Sequence, residues 1–310
     1  MTQQWWKQAV VYQIYPKSFM DSDGDGYGDI NGIISKLDYL SDLGVDVLWL
    51  TPIYPSPEKD NGYDISDYYA INPRYGTLEQ FKQLLEQVHQ RGMKLIMDIV
   101  VNHTSTEHEW FKQAMSSVDN PYHDFYIWRD GSPETPPNNW LSKFGGSAWQ
   151  YCAGVGKYYL HLFDVTQADL NWENPRVRQE IYRMMRYWLE LGVDGFRLDV
   201  INLISKQQSF ADDTLLTPTA DGRKFYTDGP RIHEYLHEMN HEVFALRDGL
   251  LTVGEMSSTT LESCILYTNP TRKELDMVFN FHHLKVDYVG GEKWSLGRFD
   301  FIQLKQLFNT

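Results

Sequence analysis

Short apolar runs rich in valine, isoleucine and leucine alternate along the chain with longer stretches in which apolar residues recur at helical spacing. The runs AVVYQIY (9–15), VDVLWL (45–50), KLIMDIVV (94–101), DGFRLDV (194–200), LLTVGE (250–255) and DMVFNF (276–281) read as strands. Segments 33–43, 77–91, 175–191 and 230–246 read as helices, and Gly44, Gly92 and Gly192 stand where three of them should stop, each just before the next strand. Strands alternating with helices imply βαβ units, right-handed crossovers and a parallel sheet.

The interval 102–174 is too long for one crossover and holds many Pro, Asn, Gly and aromatic residues. It predicts an inserted subdomain over 104–174, dividing a barrel whose parts are 1–103 and 175–310. The expected fold is α/β, a (β/α)8 TIM-barrel type of catalytic domain. Eight strands are needed to close such a barrel and six are found, so the barrel is expected to be truncated after about six strands.

Composition narrows the function. With 310 residues, 42% hydrophobic and 15% aromatic, the chain can bury a sizeable core. A formal charge of −14, from 28 Lys and Arg against 42 Asp and Glu, argues against a nucleic-acid partner, which needs a basic face. Cys152 and Cys264 are the only cysteines, so neither a disulfide framework nor a zinc ribbon is available and a reducing compartment fits. No basic leader precedes an apolar run at Met1 to Lys7, and no stretch of about 18 apolar residues occurs. These features predict a cytoplasmic protein without a membrane partner.

In α/β barrels the active face lies at the strand C-termini. There the fourth run brings Arg197 and Asp199, the fifth brings Glu255, and the third leads through Asp98 to Asn102 and His103. Carboxylates on adjacent parallel strands can approach the roughly 5–5.5 Å separation of a retaining glycosidase. Arg197, two residues from Asp199, would keep that carboxylate ionised as a nucleophile requires, whereas an apolar strand before Glu255 would raise its pKa toward that of a general acid. A structural ion pair and a solvated strand end are the competing readings, and strand pattern alone leaves the two level.

DIVVNH (98–103), GFRLDV (195–200) and VGEM (253–256) resemble three of the four short blocks of the alpha-amylase family of glycoside hydrolases, in order. VVYQIYPKSF (10–19), GDGYGDINGI (24–33), LTPIYPSP (50–57) and DNGYDISDY (60–68) extend the resemblance over essentially the whole chain. It implies Asp199 as nucleophile and Glu255 as acid/base, with Asp98, His103 and Arg197 at the first sugar subsite. Asp60, Tyr63 and Phe163 would help hold the nonreducing glucose, while Trp49 is expected in the core. The family's fourth block, an Asn-His-Asp run carrying a third carboxylate, has no match after Glu255, where the nearby pair is His282-His283.

In DSDGDGYGD (21–29), Asp21, Asp23, Asp25 and Asp29 alternate with glycines and could wrap a hard cation. The start matches an EF-hand loop, but Gly32 stands in the place of the bidentate Glu. A solvated acidic turn is the alternative. The loop is similar to the calcium loop of oligo-1,6-glucosidase-like members, which implies Ca2+ with the Tyr27 carbonyl as a further ligand.

QADLNWENP (167–175) also resembles that subgroup, and Val200 matches members that avoid α-1,4-linked maltose. RDGSPETPPNNWLSKFGGSAW (129–149), FYTDGPRIHEYLHEMN (225–240) and FNFHHLKVDYVGGEKW (279–294) look closest to members that hydrolyse trehalose 6-phosphate. The resemblance thus implies a small sugar or sugar-phosphate substrate and a monomer at full length. A phosphorylated sugar demands cations beyond the cleaved bond, for which Lys285 and Lys293 are the candidates, with His282 or His283 as further donors. Ordinary solvated surface charge is the alternative for both lysines.

Overall fold

A computed structural model describes residues 4–214, 220–289, 295 and 297–309. Six strands form one parallel sheet in sequence order: β1 (Val11–Ile14), β2 (Val47–Leu50), β3 (Lys94–Val100), β4 (Gly195–Asp199), β5 (Leu251–Glu255) and β6 (Met277–Phe279). All five neighbouring pairs are parallel. Each lies within a run that the apolar pattern marks. At Gly195 an added Cβ would sit 2.0 Å from the Leu251 carbonyl oxygen, so only glycine permits β4 and β5 to pair this closely there.

Helices pack between the strands. Leu78–Gln90 opens with a capping box, Thr77 and Gln80 each bonding the other's backbone N–H, and buries Phe81, Leu84, Leu85 and Val88. Pro175–Leu191 starts with Asn174 as N-cap and Pro175 at its first position, and stops at Gly192 with φ 110°. The expected helix 33–43 is divided into Ile30–Ser35 and Leu37–Asp42. It begins earlier because the Asp29 carboxylate caps it by accepting from Gly32 N–H, and it breaks at Lys36, where φ is −107° and ψ 4°. The fourth helix, expected over 230–246, is Ile232–Glu242; Val243 leaves helical geometry and Phe244–Leu246 form a 3-10 turn.

Between β3 and Pro175–Leu191 the chain makes two small antiparallel pieces. His103–Ser105 pairs with Gln167–Asp169, and Lys157–Leu160 is the centre of a three-stranded sheet flanked by Trp128–Asp130 and Trp149–Cys152. A separate apolar cluster of Trp140, Trp149, Tyr158 and Leu160 with Val200, Leu203, Phe210 and Tyr226 fastens this inserted region to the segment after β4. That seam carries the insertion over the C-terminal ends of the strands.

Candidate active site

Register brings Arg197 of β4 level with Asp98 of β3 and Val253 of β5. The Arg197 guanidinium is the hub of the site. Nη1 donates to Asp98 Oδ1 at 2.7 Å and to Asp199 Oδ1 at 2.6 Å, and Nη2 donates to Glu255 Oε2. The rings of Trp49, Tyr63 and Phe279 lie 5.1, 5.7 and 5.6 Å from the guanidinium carbon. Burial opposes the cation, but Asp98, Asp199 and Glu255 outweigh it and hold Arg197 above its ordinary value.

Three carboxylates around one cation carry excess negative charge, which favours a proton on one of them. Asp98 is pushed up by burial, yet its carboxylate also accepts from Trp49 Nε1 at 3.1 Å and Tyr63 OH at 3.2 Å. Glu255 is raised well above the glutamate range by burial and then by the neighbouring Asp199 carboxylate, against the pull of Arg197. With fewer donors than Asp98, Glu255 is the better place for the proton. Directly after Asp199, buried Val200 takes a left-handed conformation, φ 37° and ψ 39°, strained for a β-branched residue, and turns the chain into Ile201–Leu203.

On the β2–β3 side, the loop bearing Asp60 and Tyr63 is organised by fully buried Asp64. Its carboxylate accepts from Ser56 Oγ at 2.8 Å and from the N–H groups of Lys59 and Asp60 at 2.9 and 3.1 Å. Asp60 Oδ2 accepts from Gln167 Nε2 at 2.9 Å; burial raises Asp60 while Gln167 restrains it. His103 Nε2 lies 3.2 Å from the Tyr63 carbonyl and 3.1 Å from Gln167 Nε2, and its ring is 5.1 Å from that of Phe163. Behind it, buried Lys206 bridges Asp169 at 2.8 Å and Asn102 at 2.9 Å, and Asn102 Nδ2 is 3.2 Å from His103 Nδ1. Asp60, Tyr63, His103, Phe163, Arg197, Asp199 and Glu255 are therefore brought together.

On the β5–β6 side the structure adds residues that sequence reasoning missed. Lys143, from the inserted region, reaches the Ser257 hydroxyl with Nζ at 3.3 Å and lies 5.5 Å from the Tyr226 ring centre. Asn202 fixes Ser257 twice, accepting from its N–H at 2.9 Å and donating to its carbonyl at 2.9 Å. Burial pushes Lys143 down to about 8, assisted by Arg223 and Lys285 and resisted by Asp221 and Glu255. Lys285 is exposed and His282, whose Nδ1 has no partner among the described residues, is half-buried. His283 packs its ring 6.1 Å from Phe308. Lys293 lies outside the described residues. Trp49 is not simply core: half-buried against Val47, Ile96 and Leu251, it also anchors Asp98 through its indole N–H.

In the 21–29 loop, carboxylate oxygens of Asp21, Asp23 and Asp29 fall within 4.8 Å of one another. Asp25 is outside that group and accepts from Tyr27 N–H at 2.8 Å. Asp21 also accepts from Gly24 and Gly26 N–H at 2.7 and 2.8 Å, contacts that hold it below the usual range. Three gathered carboxylates beside a glycine-rich turn fit a hard cation.

The profile of the alpha-amylase catalytic domain matches residues 13–310. The trehalose-6-phosphate hydrolase of Bacillus subtilis (strain 168) is 64% identical over 306 residues, covering 98% of this chain and 54% of that protein. The oligo-1,6-glucosidase of Bacillus cereus is 55% identical, covering 99% of this chain and 55% of its own length. The crystal structure of the Bacillus licheniformis trehalose-6-phosphate hydrolase superposes with a TM-score of 0.93 at 65% identity, over 98% of this chain and 54% of that one. The chain spans about half the length of these relatives. Its six-stranded parallel sheet, the convergence of Asp98, Arg197, Asp199 and Glu255, and the profile match place the chain in the alpha-amylase family.

Proposed function

We propose that this chain carries the catalytic pair and glucose subsite of a retaining α-glucosidase that cleaves trehalose 6-phosphate to glucose and glucose 6-phosphate. The observation that carries the reading is the seating of Asp199 and Glu255 on different nitrogens of the single Arg197 guanidinium. An Asp199 oxygen attacks the anomeric carbon as the glycosidic bond breaks, and Glu255 delivers its proton to the departing oxygen. Glu255, now a carboxylate, takes a proton from water; that water's oxygen attacks the same carbon and releases Asp199. Asp60, Tyr63, His103 and Phe163 hold and shape the nonreducing glucose, and Lys285 with Lys293 attracts the phosphate of the leaving sugar.

In the same reading the 21–29 loop binds a structural Ca2+ through Asp21, Asp23 and Asp29, with the Tyr27 carbonyl as a further ligand, and Asp25, whose carboxylate accepts from Tyr27 N–H, joins only by turning toward the ion. That ion would brace the turn after β1 and takes no part in the chemistry. No described helix is long and apolar enough to cross a membrane. A cytoplasmic monomer acting on a small sugar or sugar phosphate, without nucleic-acid partners, completes the proposal.

The test is glucose release from trehalose 6-phosphate, trehalose and isomaltose, by this chain and by a version extended to the relatives' full length. Selective release from the phosphorylated sugar is the expected result. Faster release from isomaltose would favour the second reading, an oligo-1,6-glucosidase, which the 55% identity to the Bacillus cereus enzyme supports. Selective release by the extended version alone would mark this chain as an inactive part of the same enzyme.

A further inference from the structure

Charge on the two sides of the Asp199–Glu255 pair is distributed unequally. On the glucose side the polar groups are Asp60, Gln167, His103 and Tyr63, suited to sugar hydroxyls. Toward β5 and β6 stand cations from three separate parts of the chain: Lys143 from the inserted region, which reaches Ser257 just beyond β5, and Arg223 from the segment after β4 and Lys285 after β6, both near enough to depress the Lys143 ammonium. These positions are far apart in sequence; Lys143 and Arg223 are joined by the apolar seam in which Trp140 packs on Phe225, rings 5.6 Å apart and nearly parallel, and on Tyr226, and by Leu141 N–H donating to the Asp221 carbonyl at 3.1 Å.

Lys143 is the best placed of the three. Ser257, whose hydroxyl it reaches at 3.3 Å, stands two residues beyond Glu255. A lysine lodged beside the general acid in an acidic protein costs desolvation with no carboxylate bonded to it among the described residues. Its nearest polar partner is a neutral hydroxyl, and an anion supplied by substrate would complete its coordination. Arg223 is braced by Asp221, which accepts from Nε at 2.9 Å and Nη2 at 2.6 Å, while Nη1 has no hydrogen-bond partner among the described residues.

Resting on the trehalose 6-phosphate reading, we propose that Lys143 and Arg223, together with Lys285, form the seat of the leaving sugar's phosphate, with Lys143 as its principal specificity determinant. The charge count agrees. Three cations less the one paired with Asp221 leave two positive charges for a phosphomonoester carrying about −1.5 to −2 at neutral pH. Lys143 contributes an N–H donor close to Glu255, Arg223 its free edge, and Lys285 a more exposed charge that draws the anion in. An uncharged leaving sugar would leave the Lys143 ammonium partly desolvated without an anion, which discriminates against plain disaccharides.

The experiment compares binding of glucose 6-phosphate and of glucose to the chain by calorimetry at pH 7, for the wild type, Lys143→Met, Lys143→Arg and Arg223→Gln. The wild type should favour glucose 6-phosphate. Lys143→Met should cut that preference about ten- to a hundredfold, the worth of one charge-assisted hydrogen bond, and Lys143→Arg should restore most of it. Arg223→Gln should cut it less, because its charge is shared with Asp221. A wild type that binds both sugars alike would overturn the phosphate reading itself. A wild type that discriminates, with Lys143→Met and Arg223→Gln discriminating to within twofold of it, would leave that reading standing and overturn the assignment of Lys143 and Arg223. Melting temperature, read on each variant, separates lost affinity from lost folding.

Discussion

Replacing Arg197 with methionine removes the one cation that three carboxylates share. Asp98, Asp199 and Glu255 lose the contacts at 2.7 Å, at 2.6 Å and through Nη2, all at side chains no more than 12% exposed. Breaking a buried ion pair by deleting one partner costs about 3–5 kcal/mol, a large share of the roughly 5–15 kcal/mol that holds a folded domain together. The variant can recover part of this by taking up protons. Burial already raises Asp98 and Glu255, and without Arg197 their folded-state values rise further above the unfolded ones. A carboxylate whose folded pKa is raised binds protons more readily when folded, so stability falls as pH rises from the unfolded value through the folded one. The deficit of Arg197→Met relative to wild type should therefore grow as pH rises through the raised values, and be larger at pH 8 than at pH 5 by about 1.4 kcal/mol, one pKa unit's worth. Urea unfolding followed by tryptophan fluorescence at the two pH values measures it. A deficit below about 1 kcal/mol, or one equal at pH 5 and pH 8, would refute the account of Arg197 as the charge hub.

Three further expectations follow from the same geometry. Asp199→Asn should abolish glycosyl-enzyme formation, whereas Glu255→Gln should lose about 10²–10⁴-fold on natural substrates and far less on aryl glucosides with excellent leaving groups; equal losses on both would contradict the role assignment. Because Glu255 must carry its proton to act as acid, kcat should fall as pH rises through its raised pKa, and a basic limb placed in the ordinary glutamate range would count against the assignment. Chelation with EGTA should lower the melting temperature and added Ca2+ restore it, with Asp21→Asn insensitive to both; an unchanged melting curve in the wild type would remove the ion from the 21–29 loop.

The strands were legible because each is a brief apolar run bounded by glycine or polar residues, and a buried parallel strand permits little else. Pro175–Leu191 was legible to the residue, since Asn174, Pro175 and Gly192 mark both ends. The break at Lys36 was not, because no residue there forbids a helix and the break is a matter of packing. Asp199, Glu255 and Arg197 stood out by their place at strand ends. Lys143 did not, since 114 positions separate it from Ser257 and only the Trp140 seam brings them together. Trp49 read as core because its strand is apolar; that its indole N–H would meet Asp98 depends on sheet curvature, which a linear pattern does not contain. The left-handed Val200 was invisible for a similar reason: valine disfavours that conformation, and the surrounding contacts impose it.

The central claim is covalent catalysis at Asp199. Incubating the full-length version with a fluorinated α-glucosyl fluoride, which forms the glycosyl-enzyme quickly and loses it slowly, and mapping the label by peptide mass spectrometry tests it directly. The account predicts one fluoroglucosyl group, carried by Asp199. A label on Glu255 or elsewhere, or turnover that releases inverted sugar with no label, would contradict it.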